Sequence, residues 1–322
     1  MEERRLGGTE LRISRVVLGC GNFGGVGSAP ELFGHGENEA EAFALMDAAR
    51  GLGINVFDTA DAYGGGRSET FIGNWLRERG RDGVLVSSKV FHSVVGDPDD
   101  RGLARERILR QIDGTLERFG VERLDMYLIH EPDPDTPLEE TLGALAEVVQ
   151  AGKVRSIGAS NIDAAYLREA LELSRRNGWP RFEWVQNEYS LLERSAEHEL
   201  LELCAAEGLG FTAFSPLAGG WLTGKYRRDV PYPKGSRMTQ RPGPYGVFEN
   251  DLTFDALERF EQAAAARDVE PAVLAFAWVL SNPHVTAAIA GPRRPEHLEP
   301  PRAGLELELT PDERDELAGL FT

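Results

Sequence analysis

The chain contains 322 residues, and its 35 Lys and Arg against 53 Asp and Glu give a formal net charge of −18. The length corresponds to about two average domains, and 41% hydrophobic residues with 27% charged residues are typical of a globular protein with a sizeable core. The negative charge disfavours binding to the phosphate backbone of nucleic acids and to anionic membrane surfaces.

Two further features of the sequence concern where the protein works. It has no apolar run of the roughly 18 residues that a transmembrane helix needs, and its N-terminus, MEERRLGGTE, lacks the apolar core of a signal peptide. Cys20 and Cys204 are the only cysteines, which excludes a disulfide framework and favours a reducing compartment. We therefore expect a cytoplasmic protein with no nucleic-acid or membrane partner.

The predicted elements begin with a small hairpin, in which Arg4–Leu6 and Leu11–Ile13 flank Gly7-Gly8. Short apolar runs typical of buried strands then follow, at Arg15–Gly19, Ile54–Asp58, Val84–Lys89, Leu124–His130, Val154–Ala159, Trp184–Asn187, Gly210–Phe214 and, more weakly, Thr286–Ala290. Stretches with helical spacing, such as Leu103–Phe119 and Leu138–Gln150, lie between them. The alternation predicts a parallel sheet, and eight such strands favour its closure into a (β/α)8 TIM barrel, an α/β fold.

One connection is unusually long. Residues 226–251 follow the seventh predicted barrel strand and contain four prolines and several glycines, so they predict a functional loop or cap and not a simple turn. No sequence repeat and no linker divides the chain. We expect residues 1–322 to form a single barrel domain.

The first predicted barrel strand leads into a G-x-G-x-x-G motif, Gly19 to Gly24. A dinucleotide-binding fingerprint requires a helix to open inside this motif, so that a pyrophosphate meets the helix N-terminus. Here more glycines, Ser28 and Pro30 follow, and helical spacing begins only at about Asn38. The motif is therefore interpreted as a flexible loop at the carboxyl end of the strand, where barrel sites are built.

Four polar residues lie at or just beyond the ends of predicted strands: Asp58, Tyr63, Lys89 and His130. The carboxyl ends of neighbouring barrel strands meet at one rim, so these side chains can converge. Taken singly, each has a structural alternative, since Asp58 can cap a loop, while Tyr63 and His130 can simply pack. Their combination favours a functional site.

The chemistry of these four residues fits the reduction of a carbonyl group. Hydride addition to a carbonyl carbon creates an alkoxide that needs a proton, and a tyrosine hydroxyl can supply it. A nearby ammonium, Lys89, is expected to lower the tyrosine pKa, while Asp58 keeps that ammonium charged. The imidazole of His130 can polarise the carbonyl oxygen.

Longer motifs place the sequence beside a known family. It resembles the aldo-keto reductases, of the long-chain bacterial type, over nearly its whole length. The matching segments are residues 57–64 (FDTADAYG), 87–90 (SSKV), 125–130 (DMYLIH), 158–161 (GASN), 186–190 (QNEYS) and 215–220 (SPLAGG). The resemblance implies a (β/α)8 barrel and a catalytic tetrad of Asp58, Tyr63, Lys89 and His130, with Tyr63 as the proton donor.

The resemblance also implies a nicotinamide cofactor, NADPH/NADP+. Ser160, Asn161 and Gln186 match positions that bind its carboxamide. Phe214 matches a position that stacks on its ring. Lys225 and Arg237 match positions that reach its phosphates. The full implied set is Gly21, Asn22, Phe23, Asp58, Ser160, Asn161, Gln186, Phe214, Ser215, Pro216, Leu217, Gly219, Gly220, Lys225, Arg237, Gly291, Arg293 and His297. Glycines in such a loop let backbone N–H groups approach a pyrophosphate closely.

The preference between the two nicotinamide cofactors depends on the tail of the chain. Arg293, with Arg294 beside it, matches a position that meets a 2′-phosphate, which favours NADPH. His297 stands where glutamine is common, and Pro300-Pro301 stand where relatives have side chains that contact the adenine. Proline has no side-chain donor or acceptor, so those contacts cannot form.

The substrate side is predicted less sharply. Phe23, Phe91, His92, Tyr245 and Phe248 are candidates for the pocket, and aromatic walls suit apolar or cyclic carbonyl compounds. The His, Cys and acidic residues lack metal-site spacing, so no metal is expected. Two other functions remain open, a keto-sugar (sugar-nucleotide) reductase and a cofactor-binding regulatory subunit resembling potassium-channel β-subunits. The sequence does not indicate an oligomeric state.

Overall fold

Eight parallel strands close into a barrel in the computed structural model, which describes residues 1–321. An antiparallel hairpin, Glu3–Arg5 (β1) and Arg12–Ser14 (β2), precedes it. The barrel strands are Val16–Gly19 (β3), Val56–Asp58 (β4), Leu85–Val90 (β5), Leu124–Ile129 (β6), Val154–Ser160 (β7), Trp184–Glu188 (β8), Gly210–Phe214 (β9) and Ala287–Ala290 (β10). They pair in chain order, and β10 pairs with β3 to complete the circle. The predicted (β/α)8 TIM barrel with an N-terminal hairpin is confirmed.

The hairpin closes one end of the barrel. Leu6, Leu11 and Ile13 are buried in a cluster with residues from alternate positions of the strands, such as Val56 on β4 and Leu128 on β6. Their neighbours in sequence, such as Phe57 and Ile129, belong to a second cluster with the helices. Because side chains alternate along a strand, the first cluster is the interior of the barrel and the second is the layer between strands and helices.

Helices surround the strands. They are Glu39–Gly51 (α1), Arg67–Arg79 (α2), Arg105–Phe119 (α3), Leu138–Gln150 (α4), Ala164–Asn177 (α5), Leu200–Ala206 (α6), Arg237–Gln240 (α7), Asp251–Ala265 (α8), Pro271–Ser281 (α9), Glu299–Glu306 (α10) and Pro311–Gly319 (α11). Local sequence fixes several of their starts. The Asn38 side chain accepts a hydrogen bond from the Glu41 backbone and Glu41 returns one, which forms a capping box at α1, and Thr310 with Glu313 does the same at α11.

The predicted elements differ from the structure mainly at their ends. The hairpin strands lie one residue further from the turn than predicted, because Leu6 and Leu11 turn into the barrel while the Leu6 N–H still donates to the Leu11 carbonyl oxygen at 2.9 Å. The Gly19–Gly24 motif opens no helix, as expected, since the first α-helix begins at Glu39. Cys20 and Cys204 are both buried free thiols.

The long connection after β9 has its own short elements. Besides α7 it holds 3-10 turns at Ala218–Thr223 and Gly246–Phe248. Trp221 anchors it, with ring centroids 5.1 Å from Tyr226 and 5.5 Å from Phe254. This packing fixes a segment that the sequence predicts only as a loop or cap. No helix within residues 1–321 is long and apolar enough to cross a membrane.

Candidate active site

The alternation of side chains along the strands points the predicted site residues into the barrel. Val56 on β4 belongs to the barrel interior, so Asp58, two residues later, faces the same way. Leu128 likewise directs His130 inward, and Trp184 directs Gln186. These residues stand at the carboxyl ends of their strands, where the loops of the barrel begin. The fold thus brings polar groups from separate strands to one rim.

Lys89 forms the centre of this group. Its Nζ lies 2.6 Å from Asp58 Oδ2, and the two side chains are only 2% and 7% exposed. It also donates to the Thr59 carbonyl oxygen at 2.8 Å. Burial alone lowers the pKa of Lys89, but Asp58 and the Tyr63 hydroxyl outweigh that effect and the pKa is raised. Lys89 is therefore a buried ammonium held charged by its partner.

Tyr63 lies between Lys89 and His130. The Lys89 Nζ is 5.2 Å from the centroid of its ring, and its hydroxyl is 3.4 Å from His130 Nε2. Burial raises the pKa of Tyr63, and Lys89 opposes that shift without reversing it. Lys89 lowers the pKa of Tyr63 as the sequence predicts, but the loss of hydration on burial is larger, so the net shift is upward. The phenol stays protonated at neutral pH.

His130 is a neutral imidazole. Burial, His92 and Lys89 lower its pKa well below the ordinary value. Its ring packs edge-on against Tyr63, with centroids 5.5 Å apart, and against His92, with centroids 4.7 Å apart. Its backbone carbonyl oxygen accepts a hydrogen bond from the Asn161 side chain at 2.9 Å. The Tyr63 hydroxyl is the hydrogen-bond partner of its Nε2, and Nδ1 has no partner among the described residues.

Asp58 is held on its second oxygen. Ser87 Oγ donates to Asp58 Oδ1 at 3.0 Å, and Gln186 Nε2 donates to the same oxygen at 3.1 Å. Gln186 is predicted to bind a nicotinamide carboxamide. In this structure its amide nitrogen donates to Asp58, and its amide oxygen accepts no hydrogen bond from the described residues. Ser160 is its partner in the β7–β8 ladder. The three polar side chains Ser160, Asn161 and Gln186 are thus gathered beside the tetrad.

A second group of charges lies along the β9 connection. Lys225 Nζ rests on Gly220, where an added β-carbon would collide with it. Burial lowers the pKa of Lys225, and the charges of Arg237 and Arg293 lower it further, so the three cations lie near one another. Arg237 donates to Asn22 Oδ1 at 2.7 Å. The predicted basic patch is therefore present as a cluster on a negative body, and its cations suit an anion such as a pyrophosphate.

The loop beside this cluster has the backbone that a close approach requires. Gly219 and Gly220 have φ of +65° and +102°, and Ser215 has φ +51°. The Tyr245 ring lies on Gly219, and its hydroxyl is 3.4 Å from Ser215 Oγ. Positive φ is open to glycine without strain, so Gly219 and Gly220 let residues 215–220 form a tight loop whose backbone another group can approach closely. Pro216 and Leu217 complete it.

One partner of the basic cluster lies outside the sequence prediction. Glu37, in the loop before α1, is buried and accepts from Arg293 Nε at 3.0 Å. Arg293 also donates to the Gly235 carbonyl oxygen at 2.7 Å, and its backbone N–H donates to His297 Nδ1 at 3.2 Å. Burial raises the pKa of Glu37 and Arg293 counters it. No sequence signal marks Glu37, because its partner is 256 positions away.

The residues predicted to line the substrate pocket lie in different parts of the structure. Phe91 and His92 lie beside His130, with their own ring centroids 5.2 Å apart. Tyr245 and Phe248 pack around Trp221 and the 215–220 loop. Phe23 is fully buried in the strand–helix core, so its ring offers no surface to a ligand in this conformation. Gly21 lies against the Tyr63 ring, Phe214 ends β9 and Gly291 follows β10.

The family follows from comparison with known proteins. The family model described as "Aldo/keto reductase family" matches residues 15–320. This chain belongs to the aldo/keto reductase family. Aldo/keto reductases in general use nicotinamide cofactors, and several relatives of this chain are named as oxidoreductases or reductases. The glycine backbone of the 215–220 loop and the cluster of Lys225, Arg237 and Arg293 fit the anionic part of such a cofactor.

Three relatives show the range of the family. An uncharacterized oxidoreductase of Bacillus subtilis, YrpG, is 36% identical over 96% of this chain and 92% of its own. An NADH-specific methylglyoxal reductase of Escherichia coli is 32% identical over 96% of this chain and 95% of its own. A probable voltage-gated potassium channel subunit beta of rice is 35% identical over 90% of this chain and 87% of its own.

Proposed function

We propose that this aldo/keto reductase catalyses the NADPH-dependent reduction of an aldehyde or ketone, with Tyr63 as the proton donor. The observation that carries the proposal is the position of the Tyr63 hydroxyl, 3.4 Å from His130 Nε2 and beside the buried Lys89–Asp58 pair. A hydroxyl and a ring nitrogen so placed can both reach one carbonyl oxygen.

The proton is handled by side chains of the chain itself. A bound nicotinamide supplies the hydride that forms the new C–H bond at the carbonyl carbon. As the C=O π bond breaks, the oxygen takes the proton from the Tyr63 hydroxyl. Lys89 stabilises the negative charge that develops on the phenol oxygen, and Asp58 keeps Lys89 charged and in place. His130 polarises the carbonyl oxygen when its Nε2 carries the hydrogen.

Tyr63 is protonated at neutral pH, so it has a proton to give. Burial raises its pKa, and Lys89 acts against that rise, which favours release of the proton to the substrate oxygen. The lowered pKa of His130 supports a neutral hydrogen-bond donor in place of a competing acid. The two groups therefore have different roles, Tyr63 as the acid and His130 as a neutral hydrogen-bond donor.

The preference for NADPH rests on the basic cluster. Arg293 is 41% exposed on its side chain and keeps part of its guanidinium free beside Lys225 and Arg237. A guanidinium of this kind suits the 2′-phosphate that distinguishes NADPH from NADH. Glu37 holds one edge of Arg293 and orients it. A kcat/KM with NADH equal to or above that with NADPH would contradict the preference.

Kinetics with Tyr63→Phe test the function. NADPH oxidation is followed with a panel of aldehydes, ketones and keto-sugars, and the variant is expected to lose about 10²- to 10⁴-fold in kcat because it has no proton to donate. Tyr166→Phe is the matched control, since Tyr166 is a half-buried tyrosine on α5, outside the tetrad. Wild-type kcat in Tyr63→Phe would overturn the donor assignment.

The same panel separates the two other functions. Selective turnover of keto-sugars would identify a keto-sugar reductase. Tight NADPH binding with no turnover of any panel member would favour a regulatory subunit. The similarity to the rice potassium channel subunit is the observation that supports this alternative. The position of His130, with Nε2 3.4 Å from the Tyr63 hydroxyl, supports an enzyme.

A further inference from the structure

Arg241 is an arginine that the proposed mechanism leaves without a role. It follows α7 in the long connection after β9, and its side chain is exposed. Within residues 1–321 its guanidinium has neither a hydrogen bond nor an ion pair, although most arginines of this acidic chain are bonded to a carboxylate or a carbonyl oxygen. Arg237, one turn earlier, is bonded to Asn22.

The guanidinium lies against the loop that carries the tetrad tyrosine. A β-carbon on Gly27 would be only 2.6 Å from Arg241 Nη1, so the guanidinium occupies the space that glycine leaves free. The Gly27 N–H donates to the Gly21 carbonyl oxygen at 2.7 Å, and the Gly64 N–H donates to the Gly27 carbonyl oxygen at 3.1 Å. An added β-carbon on Gly21 would meet the Tyr63 ring at 3.6 Å, and Gly64 follows Tyr63, so Arg241 lies against a loop that borders the reacting centre.

The charge of Arg241 acts on the reacting centre. It lowers the pKa of His92 and of His130 and opposes the rise in the pKa of Tyr63. A second exposed arginine without a bonded partner, Arg101, acts on His92 from the β5 loop. Arg101 also acts on the carboxyl groups of Glu131 and Asp133, whereas Arg241 forms no ion pair within residues 1–321. Arg241 therefore places a positive charge without a bonded carboxylate beside the tetrad, although the whole chain has a formal charge of −18. A guanidinium with unbonded N–H groups at this position can meet an anionic group of a substrate.

We propose that Arg241 binds a carboxylate of the substrate, so that the physiological substrates are aldehydes or ketones that also carry a carboxylate group. A guanidinium presents planar N–H groups that match a carboxylate with two hydrogen bonds. Its single charge balances a monoanion. The carbonyl carbon is then placed at Tyr63 and His130 while the carboxylate is held at Arg241. This inference rests on the proposed reductase function.

Two aldehydes of nearly equal shape test the assignment. 4-Carboxybenzaldehyde is an anion at neutral pH, and 4-nitrobenzaldehyde is a neutral compound with a planar group of similar size. In Arg241→Met the ratio of kcat/KM for the anion to kcat/KM for the neutral aldehyde is expected to fall about 10- to 100-fold, the range for a hydrogen-bonded charge. Comparing ratios removes the different intrinsic reactivity of the two aldehydes.

Two other variants sharpen the result. Arg241→Lys keeps the positive charge but loses the paired N–H groups of the guanidinium. Its ratio of kcat/KM for the anion to kcat/KM for the neutral aldehyde is expected to lie between those of the wild type and Arg241→Met. Arg123→Met is the matched control, because Arg123 is also exposed and without a side-chain partner but precedes β6 at the opposite end of the barrel. It is expected to leave both kcat/KM values at wild-type levels.

Each remaining outcome decides against the proposal. An unchanged ratio in Arg241→Met, with both aldehydes still reduced, overturns the carboxylate site and leaves the reductase function standing. A weaker affinity for NADPH with an unchanged ratio assigns Arg241 to the cofactor. If the ratio falls in Arg101→Met and stays unchanged in Arg241→Met, the carboxylate site belongs to Arg101. If the wild-type protein reduces no carbonyl compound at all, the proposed function itself fails, and this inference with it.

Discussion

Lys89 is a buried ammonium whose charge depends on one carboxylate, Asp58. We expect Lys89→Met to lower the free energy of unfolding by about 3–5 kcal/mol, because it leaves Asp58 charged, buried and without its counterion. The same change removes the group that stabilises the developing phenolate of Tyr63, so kcat for reduction falls as well. Urea denaturation measures the first effect and NADPH oxidation the second.

The double variant Asp58→Asn/Lys89→Met distinguishes two causes of the lost stability, the burial of an unpaired charge and the loss of the contact itself. It removes both charges, so part of the lost stability should return while activity does not. Lys153→Met is the exposed counterpart, since Lys153 pairs with Asp113 where the side chains are 33% and 61% exposed. That variant should lose less than about 1 kcal/mol. A loss in Lys89→Met no greater than this would contradict the account.

The residues of the site differ in how far sequence predicts them. Asp58, Lys89 and His130 lie within one residue of the ends of strands whose alternation fixes their direction, so a short local pattern suffices. Glu37 and Arg241 lie in loops without any periodicity, and contacts with distant segments fix their positions. The pKa of Tyr63 is a similar case, because the extent of its burial depends on the whole site.

Among the elements, apolar periodicity predicts the barrel better than it predicts the ends of strands. Helix α4 and strand β9 have the bounds that their patterns predict. The first barrel strand begins at Val16 and not at Arg15. The long connection after β9 has no periodicity, and its shape comes from Trp221 and the rings packed on it. The sequence therefore predicts its presence and place, but not its fold.

Gly219 links that connection to the 215–220 loop. Its φ is +65°, and an added β-carbon would lie 2.6 Å from the Tyr245 ring. We expect Gly219→Ala to push Tyr245 and its segment away, which lowers the melting temperature and weakens NADPH binding by at least about 10-fold. Thermal unfolding and a fluorescence titration with NADPH measure the two effects.

A second glycine provides the control for backbone strain. Gly208 has nearly the same φ, +64°, but an added β-carbon there meets nothing within 4 Å. Gly208→Ala should therefore lose only the roughly 1 kcal/mol that a left-handed residue costs, with NADPH affinity unchanged. Equal effects of the two substitutions on NADPH binding would show that strain, and not contact with Tyr245, limits position 219.

For the whole molecule, global and local charge predict opposite responses to salt. The formal charge of −18 repels an anionic cofactor at long range, whereas Lys225, Arg237 and Arg293 attract it at short range. Salt at 0.1 M screens exposed charges more than about 10 Å apart, so most of the distant acidic groups already act weakly there. The local cluster should therefore decide the affinity.

Raising NaCl from 0.05 to 0.5 M is accordingly expected to increase the Kd for NADPH, because screening weakens the attraction of the cluster. In Arg293→Met the Kd should be higher at low salt and should change less with salt, since one of the three cations is gone. Arg123→Met changes the net charge by the same amount outside the cluster and should keep the wild-type dependence. If affinity instead rose with salt, repulsion by the acidic body would dominate, and the cofactor would be responding to the charge of the whole molecule.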